Sequence, residues 1–376
     1  MIEARLFSSL DEIAAPVWNA LVGDDNPFVS HTFLSGLEQH ACLRTDYGWQ
    51  AQHLGLYDHD TLIAAAPMYL KGNSHGEFVF DWSWADAYSR SGLDYYPKLL
   101  CAVPYSPVTG PRLLTGGDES RKKLLRDAFV QVARELKFSS AHVNFTTDED
   151  AAAFDDTPWL PRFDWQFHWT QRGYRDFPDF LDALLPKKRK NIRQEREQVT
   201  RAGVRCEIRH GDELSDQDWR FLHRCYGSTF EEKGNHAALT LPFFRHLGAQ
   251  MPRQVVAIMA FRGDEPIAAA LCLRSADTLY GRYWGALEHV PGLHFEACYY
   301  QGIEYCLRHG LQRFEPGAQG EHKLARGFMP VRTRSFHWLA DPRFRHAVRD
   351  ALAREAQVLA EYHADLVRHS PFAIAL

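Results

Sequence analysis

The sequence predicts a mixed α/β protein in which one strand–helix–strand unit occurs twice. The first observation is a repeat: Asp60-Thr-Leu-Ile-Ala-Ala-Ala66 returns 204 residues later as Asp264-Glu-Pro-Ile-Ala-Ala-Ala270. Each copy comes after an apolar run that ends in an aromatic residue, Tyr57 or Phe261, and a polar turn. Each therefore reads as a β-hairpin whose second strand is made of small residues. The second observation is a helix and then a strand downstream of each hairpin. Leu124, Leu125, Ala128, Val132 and Leu136 recur at the helical period within 119–136, ahead of a strand-like run from Ala141 to Phe145. In the second half, Phe295 to His309 reads as a helix and Leu311 to Phe314 as the strand after it. That order gives a mixed sheet with helices packed on it.

Taken in chain order, the first half carries about thirty extra residues between hairpin and helix. This insert, 81–111, is rich in aromatic residues and proline and reads as a loop that either plugs its domain or grips a substrate. The boundary between halves falls within 158–175, giving an N-terminal domain of 1–165 and a C-terminal domain of 166–376. A helix with seven basic and two acidic residues runs from Lys187 to Arg201. Tyr280 to Leu287 reads as a strand with aromatics and one arginine. A helix then starts near His294, succeeded by a strand into Glu315, a polar loop from Gly317 to Gly327 and a last strand from Pro330 to Leu339. Phe344 to Leu366 is an amphipathic helix free to pack on either half.

With 376 residues, 45% hydrophobic and 24% charged, the composition excludes disorder as the main character. The 43 basic and 48 acidic residues leave a net charge of −5, which argues against a surface coated by nucleic acid and leaves room for a local basic patch. No apolar stretch approaches the ~18–20 residues that span a bilayer. Residues 1–5 carry no signal-peptide pattern, so a cytoplasmic location is expected. Seven irregularly spaced cysteines without a C-x-x-C pair read as reduced, buried residues. His294-Phe295-Glu296 lacks the P-C-x-x-C that would complete a zinc deaminase site. Gly317-Ala-Gln-Gly-Glu-His-Lys323 lacks the spacing of a phosphate loop. No metal site is expected.

Three segments carry a family resemblance. They are Asp81-Trp-Ser-Trp-Ala-Asp-Ala-Tyr88 with Tyr95-Tyr-Pro-Lys98 and Pro104-Tyr-Ser-Pro-Val-Thr-Gly-Pro-Arg112; Lys187-Lys-Arg-Lys-Asn-Ile-Arg-Gln-Glu-Arg196; and Leu293-His-Phe-Glu-Ala-Cys-Tyr-Tyr-Gln301 with Glu315-Pro-Gly-Ala-Gln-Gly-Glu-His-Lys-Leu-Ala-Arg-Gly-Phe328. Over most of its length the chain resembles the FemAB-like N-acyltransferases linked to peptidoglycan biosynthesis and recognition. The resemblance implies two tandem GNAT-like domains and transfer of an acyl or aminoacyl group to a small-molecule or peptide amine. The implied co-substrate is an acyl-CoA or an aminoacyl-tRNA, with no tightly bound cofactor. One departure bears on the donor: Arg282-Tyr-Trp-Gly-Ala-Leu287 does not complete the Q/R-x-x-G-x-G/A turn that holds the CoA pyrophosphate. A non-catalytic GNAT-fold protein that recognises a peptidoglycan precursor or a charged tRNA is the rival reading.

N-acyl transfer needs a neutral amine, an activated carbonyl and donors for the oxyanion. Lys323 stands where Fem-like transferases have a lysine facing the acyl donor. Lys323, Glu321, Glu315 and Glu296 are the expected catalytic residues. Arg282, Trp284, His294, Tyr300, His322 and Arg326 are expected around the donor. Lys187, Lys188, Arg189 and Arg193 are placed to hold phosphates, of tRNA among other donors. Asp81 and Trp82 are expected substrate contacts from the insert. Cys298 reads as a packing residue.

Overall fold

A computed structural model describes residues 2–155, 157–232, 234–318 and 320–373. Its elements fall into two compact units, Met1–Trp165 with Arg332–Tyr362, and Gln166–Val331 with His363–Leu376. The first unit runs β1 (Ile2–Phe7), α1 (Ala15–Val22), α2 (His31–Gln39), β2 (Trp49–Ala51), β3 (His53–Asp58), β4 (Thr61–Ala66), β5 (Met68–Lys71), α3 (Trp82–Arg90), β6 (Lys98–Cys101), α4 (Glu119–Glu135), β7 (Ser140–Asn144) and α5 (Asp148–Ala151). Strand β8 (Leu160–Thr170) leads into the second unit: α6 (Phe177–Asp182), α7 (Pro186–Arg201), β9 (Val204–His210), α8 (Asp216–Glu231), α9 (Leu241–Gln250), β10 (Val255–Arg262), β11 (Glu265–Arg274) and β12 (Thr278–Ala286). Next come α10 (Leu293–Phe295), a π-helical segment (Glu296–Tyr300), α11 (Gln301–His309), β13 (Arg313–Glu315), a 3-10 turn (Glu321–Arg326), β14 (Met329–Leu339) and α12 (Pro342–Arg368). No helix of the described residues is long and apolar enough to cross a membrane.

The two units repeat one topology in register. Hairpin β3–β4 and hairpin β10–β11 are both antiparallel, and each has a register shift at the same place, Leu56/Tyr57 and Ala260/Phe261. Each turns through a residue in the left-handed region, His59 (φ 56°) and Gly263 (φ 60°), again 204 residues apart. Strands β1 and β9 flank the hairpins in the same antiparallel sense. On the other side Tyr69 pairs with Leu100 as Leu273 pairs with Tyr280. The next pairing is parallel in both units, Leu100 with His142 and Tyr280 with Glu315. Helix α4 packs on β4, and α8 on β11 and β12. Ala64 and Ala66 pack in one core with Leu125, Ala128 and Phe129 of α4, whereas Ala269, paired with Gly285, lies on the face that α8 covers. This is the mixed α/β class expected from the sequence, with two halves of matching topology.

The insert is more ordered than its reading as an extra loop. It contains helix α3 and strand β6, the strand equivalent to the start of β12. Strand β6 was hidden because all four of its residues are buried, so they show no alternation, and the first is a lysine. The boundary region is likewise a strand, β8. Residues 332–362, assigned from sequence to the second domain, lie in the first unit. There Ser335 to Leu339 of β14 pair antiparallel with Asn144 to Ser140 of β7, while Phe336 and Trp338 join the core of Leu54, Leu99, Phe129 and Val143.

The units differ beyond the parallel pair. In the second, β12 runs on along β11 to Ala286, whereas β13 ends at Glu315, so the two parallel strands part. In the first, the chain leaves the sheet after Cys101 and returns at Leu114, which bridges Ala65 as Gly285 pairs with Ala269. The detour fills the space between the parted strands: Gly110 donates its N–H to Phe145 O at 3.1 Å. The fully buried Arg112 donates to Asn144 O (2.9 Å), Val108 O (2.6 Å) and Pro111 O (3.1 Å).

A Cβ on Gly285 would lie 1.7 Å from Cys225 O on helix α8. Gly285→Ala therefore forces α8 off the sheet and is expected to cost about 1–3 kcal/mol of stability. Denaturant melts of the variant check this, and an unchanged midpoint contradicts the close packing.

Candidate active site

In the second unit the ends of β12 and β13 carry a buried cation. Lys323 is 2% exposed, and its ammonium donates to Gly317 O at 2.6 Å, two residues beyond the last paired residue of β13. Burial lowers its pKa to about 8; Arg282 on β12 pushes the same way and Cys298 opposes. In the first unit Arg112 donates to Asn144 O, two residues beyond His142, the equivalent of Glu315, and one beyond Val143, where the β6–β7 pairing ends. There each guanidinium nitrogen donates to a backbone carbonyl. Among the described residues Lys323 has one acceptor.

Around Lys323 the structure gathers several expected residues. Glu315 closes β13, 9% exposed, with His168 Nδ1 of β8 3.9 Å away. Burial, with Lys323 and Arg313 adding repulsion, pushes His168 down to about 3 and holds it neutral. Arg282 and Trp284 lie half-buried on β12, and the Trp284 ring is 5.5 Å from that of His294. His294 and His322 lie 6.1 Å apart beside Phe295 and Tyr299, and the Tyr299 hydroxyl meets His322 Nε2 at 2.8 Å. Glu321 is exposed at the start of the 3-10 turn.

Other expected residues are committed to ion pairs. Glu296 accepts from Arg196 Nε and Nη2, each at 3.0 Å, and from Gln301 at 2.7 Å. Arg326 donates to Glu195 through Nη2 (2.6 Å) and Nε (3.2 Å) and to His322 O through Nη1 (2.7 Å), and stacks on Phe295 at 3.4 Å. The Tyr300 hydroxyl donates to the same Glu195 carboxylate. The π-helical segment sets these directions, because its wider turn lets Tyr299 face His322 while Tyr300 faces Glu195. On α7, Lys187 and Arg193 are exposed, Lys188 is half-buried, and Arg189 pairs with Asp182 at 2.8 Å.

Sequence reasoning did not single out Glu195, Arg196, Tyr299 or His168. The first two were legible: Ile192 and Val199 are the buried residues of α7. Positions i, i+3, i+4 and i+7 from Ile192 form one helical stripe, which turns Glu195 and Arg196 inward.

Asp81 and Trp82 belong to the first unit and take part in a separate network. Lys98, fully buried, donates to Asp81 (2.5 Å), Glu77 (3.0 Å) and Ser74 (3.0 Å). Tyr95 donates to Asp81 at 2.6 Å and meets His142 at 3.3 Å; His142 Nδ1 and His337 Nδ1 share a hydrogen bond of 2.7 Å. Burial opposes the charge on Asp81, yet Lys98 outweighs it and holds the carboxyl below its usual range. Glu77 is pushed up to about 7 by burial, against the pull of Lys98. His142 is lowered to about 3 by burial, then by Lys98. Trp82 is 43% exposed with its ring against His75.

The sequence matches the family described as FemAB-like, peptidoglycan biosynthesis/recognition, over residues 9–374. The chain belongs to the FemAB-like family. No curated protein matches it. Solved structures share the fold of this FemAB-like chain at low identity. The C-terminal domain (DUF2156) of an Agrobacterium fabrum protein, described as a candidate lysylphosphatidylglycerol synthetase, is 11% identical with a TM-score of 0.53, covering 93% of this chain and 98% of that one. FemX is 9% identical with a TM-score of 0.53, covering 92% and 100%. L-PGS from Bacillus licheniformis is 11% identical with a TM-score of 0.50, covering 84% and 91%.

Both His142 and His168 are held neutral well below the ordinary value of about 6.5. An unfolded chain binds those protons first as the pH falls. The contribution of these two histidines to stability is thus full above about pH 6.5 and declines toward pH 3. His168→Asn is expected to flatten the fall of the urea midpoint between pH 6.5 and 4.5; curves parallel to those of the parent chain would contradict a buried neutral His168.

Proposed function

We propose that this FemAB-like protein is an N-acyltransferase whose second unit moves an acyl or aminoacyl group from an activated donor, an acyl-CoA or an aminoacyl-tRNA, onto an amine. The observation that carries the reading is Lys323, a buried ammonium at the point where β12 and β13 part. In a sheet of this kind the gap between parted parallel strands offers unpaired backbone groups to an extended ligand, and a cation at its end meets the ligand's reacting carbonyl.

In this reading the acceptor amine attacks the donor carbonyl, the carbonyl oxygen becomes an oxyanion, and the bond to the donor's oxygen or sulfur breaks. Lys323 donates to the oxyanion, a role for which its bond to Gly317 O, its one acceptor among the described residues, leaves N–H groups available. Its pKa near 8 keeps it charged at neutral pH, close to the point of giving up a proton. Glu315, next to neutral His168, is the assigned proton acceptor from the amine. Glu296 is assigned no proton transfer, because Arg196 and Gln301 occupy it. His294, Trp284 and His322 line the donor side, and Lys187, Lys188 and Arg193 supply charge for donor phosphates. The aromatic Trp82 and the network around Asp81 are assigned to recognition in the first unit.

Lys323→Met is expected to lower kcat and kcat/KM together by about 10²–10³ with ligand affinity nearly unchanged. Measuring both constants checks it; a change below about twofold contradicts a transition-state role, and a raised KM with intact kcat assigns the lysine to binding. For α7, Lys188→Glu with Arg193→Glu is expected to weaken donor binding and reduce its salt dependence. Each phosphate contact contributes about 0.7–0.9 to the log–log slope for a nucleic acid. Binding unchanged at all salt concentrations returns this face to solvent.

A further inference from the structure

We infer that Glu195 is a positioning residue for Lys323, acting through Arg326. The inference rests on the transfer reading above and adds to it the element that fixes the reacting amine. The turn that carries Lys323 is poorly held by its own backbone. It spans Glu321–Arg326 between two glycines in the left-handed region, Gly320 (φ 116°) and Gly327 (φ 91°), and has no side-chain cap. Glycines at such angles leave the chain free to pivot. Its internal bonds, Lys323 N–H to Gly320 O and Gly327 N–H to Leu324 O, fix its shape and not its direction.

Direction comes from Arg326. One edge of its guanidinium grips both oxygens of Glu195, and Nη1 reaches back to His322 O, the carbonyl immediately before Lys323. Helix α7 is itself fixed: Arg196 binds Glu296 and Glu304, and a Cβ on Gly292 would lie 2.8 Å from Glu195 O. Glu195 therefore transmits the position of a packed helix to the residue next to the buried amine. Without its carboxylate, Arg326, 9% exposed, is a buried charge lacking its partner. The guanidinium then turns toward water and takes the turn with it.

The environment of the Lys323 amine reports that movement. The titratable and charged groups that interact with it electrostatically are Cys298 from the π-helical segment, Arg282 from β12, His168 from β8 and His322 from its own turn. The test is site-resolved acetylation of the full chain by limiting acetic anhydride across pH 6–11, read by mass spectrometry with Nα-acetyl-lysine as internal standard. The parent chain is expected to give a Lys323 midpoint near 8, below the ~10.4 of a free lysine. In Glu195→Gln the midpoint is expected to rise by at least one pH unit as water reaches the amine, whereas Tyr300→Phe, which leaves the Glu195–Arg326 pair in place, keeps it. Arg326→Met removes the intermediary and leaves the more exposed Glu195 carboxylate to Tyr300 and solvent; it is expected to raise the midpoint as Glu195→Gln does, which covers the case of a Glu195→Gln chain that does not fold. A folded Glu195→Gln or Arg326→Met chain with an unmoved midpoint overturns the positioning role alone. A parent midpoint equal to that of the standard overturns the transfer reading along with it.

Discussion

When a parallel strand pair parts, the carbonyls just beyond the last ladder bond face a gap, and a buried carbonyl without a donor costs about 1–3 kcal/mol. This protein meets that demand twice with a cation. In the first unit Arg112 donates to Asn144 O and, through its two other nitrogens, to Val108 O and Pro111 O, on a chain segment that fills the gap. In the second, Lys323 donates to Gly317 O, and β12 continues past the end of β13. Arginine's five donors in a rigid fork suit a saturated structural site. Lysine's compact charge, more easily neutralised by burial, suits a reacting one. In the proposed reading, unequal filling of the same gap is what separates the chemistry of two halves alike in topology.

The repeat was legible because it rests on local residues: the Ile-Ala-Ala-Ala motifs predicted both hairpins, and the structure adds matching register shifts and left-handed turns. Strand β6 was not legible, since a strand buried on both faces has no period of two and Lys98 reads as a surface residue. Its ammonium is instead balanced by Asp81 and Glu77, carboxylates from a segment whose proximity no local pattern announces. The same holds for Glu195 and Arg326, 131 residues apart. Pairings of that kind depend on the tertiary fold, and only the inward helical face of Glu195 hinted at one.

Charge is used in two ways. Most exposed ion pairs on the surface contribute little to stability. The buried pairs have a different consequence, because breaking one strands its partner away from water. Lys98 with Asp81 and Glu77 organises the first unit's insert; Glu195 with Arg326, and Arg196 with Glu296, lock α7 to the helix and turn around Lys323. In the proposed reading, the helix that carries Lys187 and Lys188 in its first turn is also the one that holds the turn of Lys323, through Glu195.

Hydrogen exchange of the full chain in the presence of an acyl-CoA and, separately, an aminoacyl-tRNA tests most directly whether the open gap takes the donor. A productive donor should slow exchange in Gly281–Ala286 of β12 and in the Glu321–Arg326 turn, leaving 102–114 of the first unit unchanged. Protection confined to 102–114, or absent from β12 with a donor that the protein demonstrably binds, would contradict the assignment of the open gap in the second unit as the acyl-donor site.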